Sequence, residues 1–397
     1  MANPHNPLKQ TNLLHQCLLQ DKRPIGFFLS AGCPVSVRIV DDGTNKPLIP
    51  DVKGLSDEIT EALQDSDYSA QFAQLLANLE ADGKAVDNVE LWLTFIRALK
   101  PVVGTGAVRD HTADDLANLE REICVRITKR VNRDLPDEES GFSRLAAWIG
   151  ATKRSEPTEI FTTNYDLLIE QGLERKRIPY FDGFVGTSRA FFDAFSIEND
   201  ILPSRWSRLW KLHGSINWSI GADRTVTRGA VATESHLIHP SHLKFDESRK
   251  MPFLAMTDRL RGFLTKPSAT LVTCGYSFRD EHLNECMIEA LSGNPRAVVF
   301  GLVYGKLADH PEAVALAKST TNLNLLARDG AVIGAQQGTW SAPDGLGGGI
   351  LQYAVSHVPA EGETAEITEF LLGDFAKLGA FLATMTGTTL TEETNEA

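Results

Sequence analysis

Short apolar segments alternate with amphipathic helical segments along most of this chain, and this alternation constrains its fold more than any other feature. We predict strands within residues 25–31, 158–164, 209–218, 269–275, 297–303 and 322–327. Strands that are apolar throughout and separated by helices are typical of a parallel sheet buried on both faces. The pattern therefore predicts an α/β fold with a doubly wound, mostly parallel, Rossmann-like sheet.

One long helical stretch interrupts the alternation. Residues 55–150 have apolar positions at helical spacing, and we interpret them as a helical layer inserted into the α/β domain. We predict that this domain spans residues 1–335 and that residues 336–397 form a C-terminal strand and helix extension with a polar tail. Residues 32–54, rich in Gly, Pro, Asp and Asn, are predicted to be an irregular loop.

Composition excludes several classes of protein. The 397 residues have a net charge of −13, which disfavours autonomous binding to nucleic acid. The five cysteines include no CxxC pair, which argues against a disulfide framework and a thiolate zinc site. We see no signal peptide and no apolar run long enough for a membrane helix, so we expect a cytoplasmic protein without membrane association.

Polar or small residues follow four of the predicted strands, within residues 30–36, 161–166, 211–215 and 274–282. In a doubly wound sheet, ligands bind beyond the carboxyl ends of the strands. The central prediction from the sequence is that these four segments converge on one crevice.

The first two segments have both a functional and a structural interpretation. Ser30, Ala31 and Gly32 would let the backbone approach a ligand phosphate and offer N–H donors, although a tight turn without a ligand would look the same. Asn164 and Asp166 offer an amide and a carboxylate at a strand-to-helix turn, and helix capping explains them equally well.

The other two segments are similarly ambiguous. His213 is either a general base or a structural histidine bonded to backbone. The Ser277 hydroxyl could bind ribose or phosphate, while helix capping alone would explain Ser277 and Asp280.

Three histidines, His236, His239 and His242, are spaced three residues apart, which resembles the spacing of metal ligands. Pro240 interrupts any helix there, and no carboxylate or thiolate falls at a matching position. We therefore predict no metal site.

Five short motifs, in the same order, resemble those of the sirtuin superfamily. The sirtuin Gly-Ala-Gly-x-Ser motif is similar to residues 30–34, and the Ile-Pro-Asp-Phe-Arg-Gly loop is similar to residues 49–54. Thr-Gln-Asn-Ile-Asp resembles residues 162–166, the catalytic His-Gly pair resembles His213–Gly214, and the ribose-binding Gly-Thr-Ser resembles residues 275–277. The resemblance extends over about residues 30–330.

The sequences TTNYDLLIE, KLHGSINW and GYSFRDEHLN resemble more closely the divergent bacterial sirtuin-like proteins of antiphage defence. This resemblance implies hydrolysis of NAD, as substrate, to nicotinamide and ADP-ribose. It also implies a homo-oligomer that assembles with a HerA-like hexameric ATPase.

The resemblance implies roles for eleven residues. Asn164 would orient water or a ribose hydroxyl, and His213 would act as general base. Asp166, helped by Asp51, would hold the nicotinamide amide. Together with these two carboxylates, the implied NAD-binding residues are Ser30, Ala31, Gly32, Thr163, Gly275, Tyr276 and Ser277.

The chain also departs from the sirtuin pattern. Ser30 and Pro34 replace a glycine and a serine of the phosphate motif, and Lys53 replaces the loop arginine. No cysteine lies between His213 and Cys274, so we expect no structural zinc, which favours NAD hydrolysis over deacylation. Two alternatives are an NAD-dependent lysine deacylase and a non-catalytic NAD or ADP-ribose sensor that regulates a partner.

Overall fold

The structure is a computed structural model that describes residues 4–221, 223, 225–231, 252–343, 350–358 and 367–387. The three histidines considered as metal ligands, His236, His239 and His242, lie outside these residues. Most of the predicted polar tail, from residue 388 onward, also lies outside them.

A central sheet of nine strands organises the described residues. In chain order its strands are β1 (Ile25–Leu29), β2 (Glu159–Thr162), β3 (Tyr180–Phe181), β4 (Ser207–Lys211), β5 (Thr270–Cys274), β6 (Val298–Leu302), β7 (Leu323–Leu326), β8 (Gly330–Ile333) and β9 (Gln336–Thr339). Their order across the sheet is β3-β4-β2-β1-β5-β6-β7-β8-β9. The pairs from β3 to β7 are parallel, and β8 and β9 add an antiparallel edge. The predicted Rossmann-like α/β fold is confirmed.

Helices cover both faces of this sheet. In chain order they are α1 (Pro7–Leu19), α2 (Gly32–Val35), α3 (Val52–Gln64), α4 (Ser69–Ala81), α5 (Val89–Leu99), α6 (Ala113–Val131), α7 (Gly141–Ala151), α8 (Leu168–Arg175), α9 (Ala194–Glu198), α10 (Phe253–Thr265), α11 (Glu281–Gly293), α12 (Pro311–Ser319) and α13 (Phe375–Thr384). Within the described residues, no helix combines the length and the apolar character that crossing a membrane requires.

The sheet is buried on both faces because successive strand residues point to opposite sides. Phe27 belongs to the core shared with the helical layer, whereas its neighbour Phe28 belongs to the core on the opposite face. Every residue of β1, β2, β4 and β5 is buried, which explains why β1 is apolar throughout and why none of these strands alternates between buried and exposed residues.

The sheet is extended on both sides of β1. The chain passes from β1 to β2 on one side and later returns to β5 on the other, so the switch point lies between β1 and β5. Here the two following loops touch. A Cβ on Gly32 would lie 2.7 Å from Gly275 Cα, and Gly275 itself has a φ of +69°. Both positions therefore require glycine.

The helical layer that we predict at residues 55–150 lies between β1 and β2 and consists of helices α3 to α7. The prediction of an irregular loop at residues 32–54 is wrong in part. This segment contains α2 and a hairpin of strands Arg38–Asp41 and Thr44–Pro47. Its turn residues, Asp42 and Gly43, both have positive φ, as the tight two-residue hairpin turn requires.

Sequence reasoning did not identify the smaller sheets. A four-stranded antiparallel sheet follows β3, with strands Phe184–Val185, Ala190–Phe192, Trp218–Ile220 and Val226–Arg228. Two further hairpins pair Ala107–Val108 with His111–Thr112, and Val355–Val358 with Ile367–Phe370. Short 3-10 helices occupy Leu307–Asp309 and Ile350–Tyr353.

The C-terminal extension is joined closely to the rest of the chain. The predicted division at residue 336 falls within the β8–β9 hairpin of the central sheet. Helix α13 packs on α7, where the rings of Phe142 and Phe375 lie 4.9 Å apart. A Cβ on Gly379 would lie 2.8 Å from Gly141 Cα, so these two helices approach at backbone contact.

We predict that Gly32→Ala destabilises the fold by about 1–3 kcal/mol, because the new methyl group meets the backbone of the neighbouring loop. The control is Gly262→Ala in α10, where a Cβ meets nothing within 4 Å. This control should stabilise the protein by about 0.5–1 kcal/mol, as expected for alanine in an exposed helix. Urea unfolding measures both, and equal effects would contradict the backbone contact.

Candidate functional site

A cavity of about 920 Å³ opens at the carboxyl ends of the central strands. Small-molecule and cofactor sites usually enclose about 300–1,000 Å³, so this cavity has room for a dinucleotide. All the residues that the sequence singled out line it: Ser30, Ala31, Gly32, Asp51, Thr163, Asn164, Asp166, His213, Gly275, Tyr276 and Ser277. The four segments therefore converge, as predicted, and the chemical roles of these residues stay predictions.

The loops after β1 and β2 are joined by side-chain hydrogen bonds. The hydroxyls of Ser30 and Thr163 lie 2.6 Å apart. Asn164 Nδ2 donates to Ser30 O at 3.3 Å, and its backbone N–H donates to Thr162 Oγ1 at 3.0 Å. Asn164 is thus buried and held in one orientation at the cavity wall.

The backbone N–H groups of the first loop do not face a ligand as the sequence suggested. Ser30 N donates to Cys274 O at 3.1 Å, and Gly32 N donates to Gly275 O at 3.1 Å. The close approach of the two glycines brings these donors to the neighbouring loop instead. The expectation that Ser30 and Gly32 offer N–H groups to a phosphate is therefore wrong, although both residues line the cavity.

Asp166 both bonds to the start of the next helix and lines the cavity. Its Oδ1 accepts the N–H of Leu168, the first residue of α8, at 3.0 Å, although the N-cap position itself is Leu167. Burial raises the pKa of Asp166 to about 6, and the positive charge of Lys211 opposes this rise. The carboxyl group therefore changes charge close to neutral pH.

A buried lysine, Lys211, contacts the backbone of Asp166, and the sequence analysis did not identify it. Lys211, the last residue of β4, is 2% exposed and donates to the backbone oxygen of Asp166. It also forms an ion pair with Glu170 at 2.8 Å. The sequence does contain an indication of this residue, a lysine within the otherwise apolar segment LWKL. A charge buried in such a segment needs a partner of opposite charge.

His213 contacts a carboxylate at the start of helix α11. Its Nε2 lies 3.3 Å from Asp280 Oδ2, and each side chain is 11% exposed. Asp280 Oδ1 accepts the N–H groups of His282 and Leu283, so the predicted helix cap is confirmed. The pairing of Asp280 with His213 was not foreseen, because the two residues are far apart in sequence.

The Tyr276 side chain turns away from the cavity. Its ring packs between those of Phe28 and Phe278, with centroids 4.7 Å from each, and its hydroxyl donates to Asn284 Oδ1 at 2.8 Å. Tyr276 therefore acts as a packing residue that supports the loop of Ser277 and Asp280. The Tyr276 hydroxyl is engaged in its hydrogen bond to Asn284.

Asp51 stands at the start of the helical layer. Its Oδ1 accepts the N–H of Gly54 at 2.8 Å, which caps α3, and the residue lines the cavity. Lys53, which replaces the sirtuin arginine, is exposed and forms an ion pair with Asp57. Its position on the rim lies beside Asp51.

Several lining residues had no signal in the sequence. They come from the start of α5, the turn after β5, the end of β6 and the turn before α13: Asn88, Glu90, Arg279, Tyr304, Gly373, Asp374 and Phe375. The last turn packs on β6 so tightly that a Cβ on Gly373 would lie 2.1 Å from Val303 O. Over the parts of the chain that the structure describes, no group of three or more His, Cys, Asp or Glu side chains is arranged to hold a metal ion.

Comparison with models of protein families identifies one match for this chain. Residues 158–324 match a family described as a SIR2-like domain. The matched region includes Asn164, His213 and the turn at residues 275–277, and it covers less than half of the chain. A search of curated proteins finds no match.

The SIR2-like match agrees with the Rossmann-like sheet and with the cavity at the carboxyl ends of its strands. It supports a sirtuin-like family for this chain, and it implies use of NAD. The first loop and the helical layer, which also line the cavity, lie outside the matched residues.

We predict that Asp166→Asn removes a pH-dependent loss of stability. Because the pKa of Asp166 in the folded protein is about 6, above the ordinary value of 3.8, ionisation costs folding free energy. The wild type should lose roughly 2 kcal/mol relative to the variant as pH rises from 4 to 7, while the asparagine oxygen still accepts the N–H of Leu168. Urea unfolding across this range measures the difference, and parallel curves would contradict the raised pKa.

Proposed function

We propose that this protein hydrolyses NAD to nicotinamide and ADP-ribose. The observation that carries the proposal is the convergence of Asn164 and His213, from two different strand ends, on one cavity of about 920 Å³. The SIR2-like match supports the use of NAD, and it includes both residues.

The residues around the cavity fit a dinucleotide in size and in chemistry. The glycine pair at the switch point leaves the crevice free of side chains where the two loops meet. Amide, hydroxyl and carboxyl groups surround the crevice, and they suit ribose hydroxyls and a carboxamide. Arg279 on the rim offers a cation to the diphosphate.

Asn164 would orient the attacking water or a ribose hydroxyl. Its amide nitrogen is committed to Ser30 O, so Oδ1 is the atom that accepts a hydrogen bond in the cavity. His213 would remove a proton from that water or hydroxyl. Nicotinamide is a cationic leaving group that departs neutral, so the reaction depends on such orientation and on stabilising the positive charge that grows on ribose.

Asp166, helped by Asp51, would hold the nicotinamide amide. A carboxylate is an acceptor for the two N–H donors of a carboxamide, and Asp166 ionises close to neutral pH. The Lys211 ammonium, which donates to the backbone oxygen of Asp166, and the N–H of Leu168, which donates to its carboxylate, keep this residue at the cavity wall.

The biological role that we propose is antiphage defence through NAD depletion. An enzyme with this activity needs restraint in a resting cell, and we propose that it forms a homo-oligomer and a complex with a HerA-like hexameric ATPase. The helical layer of α3 to α7 and the C-terminal segment around α13 are the candidate assembly surfaces. Light scattering that finds a stable, fully active monomer would oppose this proposal.

We expect Asn164→Ala and His213→Ala each to reduce NAD cleavage by at least about 100-fold, because general acid–base and positioning groups contribute on that scale. Thermal unfolding and circular dichroism should be close to those of the wild type. Matched controls are Asn199→Ala and His357→Ala, whose side chains do not line the cavity. Full turnover in either folded site variant would refute these roles.

Product analysis separates hydrolysis from the two alternatives. Pure protein incubated with NAD, with and without the ATPase, should release nicotinamide and ADP-ribose in equal amounts and without an acetylated peptide. A lysine deacylase would release nicotinamide only when the peptide is present. A sensor would bind NAD or ADP-ribose in calorimetry without any turnover in chromatography.

A further inference from the structure

Two side chains that line the cavity and contact each other, His213 and Asp280, are held by separate parts of the fold. His213 follows β4, whereas Asp280 precedes α11 in the turn after β5. Their contact at 3.3 Å between Nε2 and Oδ2 joins the two turns, and both side chains are largely shielded from solvent. The contact places an imidazole nitrogen next to a carboxylate, an arrangement that can orient a histidine in a site.

The Asp280 carboxylate has a fixed orientation. Oδ1 accepts the N–H groups of His282 and Leu283 at 3.1 and 3.2 Å, so Oδ2 is the oxygen that faces His213. The turn is supported further by Tyr276, whose hydroxyl donates to Asn284 Oδ1. The carboxylate is therefore held by the first turn of α11, a helix whose buried side chains pack on the central sheet.

The turn of His213 is fixed from the other side. Ile216 N donates to Tyr165 O at 3.1 Å, and Gly214, with a φ of +87°, donates to Lys211 O at 3.2 Å. The ring of Tyr165 lies 6.4 Å from the imidazole, centre to centre. These bonds fix the backbone of the turn from which the His213 side chain reaches Asp280.

We propose that Asp280 is a positioning residue that selects the tautomer of His213. The inference rests on the proposed function, in which His213 acts as base. Asp280 accepts the Nε2 proton, so Nδ1 carries the lone pair. During the reaction one proton moves from the water or ribose hydroxyl to Nδ1, and the ionised Asp280 stabilises the resulting imidazolium without taking a proton itself.

The decisive variant is Asp280→Asn. The helix cap still requires an oxygen toward His282 and Leu283, so the new amide presents its NH₂ group to His213. That donor forces the lone pair onto Nε2 and the proton onto Nδ1. We expect kcat for NAD cleavage to fall by about 10²-fold to 10⁴-fold, with KM within about twofold and unfolding unchanged.

Two further variants distinguish positioning from a structural effect. Asp280→Ser keeps a cap and places no donor against His213, so both tautomers are accessible and kcat should fall less than in the asparagine variant. Asp193→Asn makes the same change at the N-cap of α9, outside the cavity, and should leave kcat unchanged. Wild-type kcat in folded Asp280→Asn would overturn the proposal.

A spectroscopic measurement tests the tautomer without any catalysis. Nitrogen-15 NMR of histidine-labelled protein, with His213→Ala to assign the signal, should show a proton on Nε2 in the wild type and on Nδ1 in Asp280→Asn. An unchanged tautomer in the variant would overturn the proposal. If the wild type binds NAD without cleaving it, the proposed function fails, and this NMR result still decides whether Asp280 selects the tautomer.

Discussion

The backbone contact between Gly32 and Gly275 is the constraint on which the rest of the structure depends. It closes the point where the chain reverses across the sheet, between β1 and β5. Any side chain there would separate the two loops and widen the crevice. The N–H groups of Ser30 and Gly32 bond to the carbonyl oxygens of Cys274 and Gly275, so these two donors are satisfied within the protein.

Several polar residues of the cavity contact a residue that follows a different strand. Ser30 contacts Thr163 and Asn164, and His213 meets Asp280. A change in any one turn therefore reaches the next, and the site depends on the sheet as a whole for its geometry. The buried pair of Lys211 and Glu170 extends this network below the floor of the cavity.

The sequence predicts the central sheet well because buried parallel strands leave continuous apolar runs, as in β1 and β5. Residues of the cavity were predictable for the same reason, since small and polar residues directly follow those strands. Contacts between distant segments were not predictable: the pairing of His213 with Asp280, and the turn at Gly373, depend on tertiary packing that no local pattern records. The hairpin after α2 was missed because its Asp42–Gly43 turn was interpreted as part of an irregular loop.

The packing of the turn at Gly373–Phe375 on β6 has a consequence for biosynthesis. This turn forms part of the cavity wall, and α13 behind it rests on α7. A nascent chain that has not yet exposed these residues from the ribosome lacks that wall, even when the strands before it have emerged. Completion of the pocket is thus coupled to the synthesis of residues that follow the last strand of the central sheet, so the cavity stays incomplete until this later segment has emerged and packed.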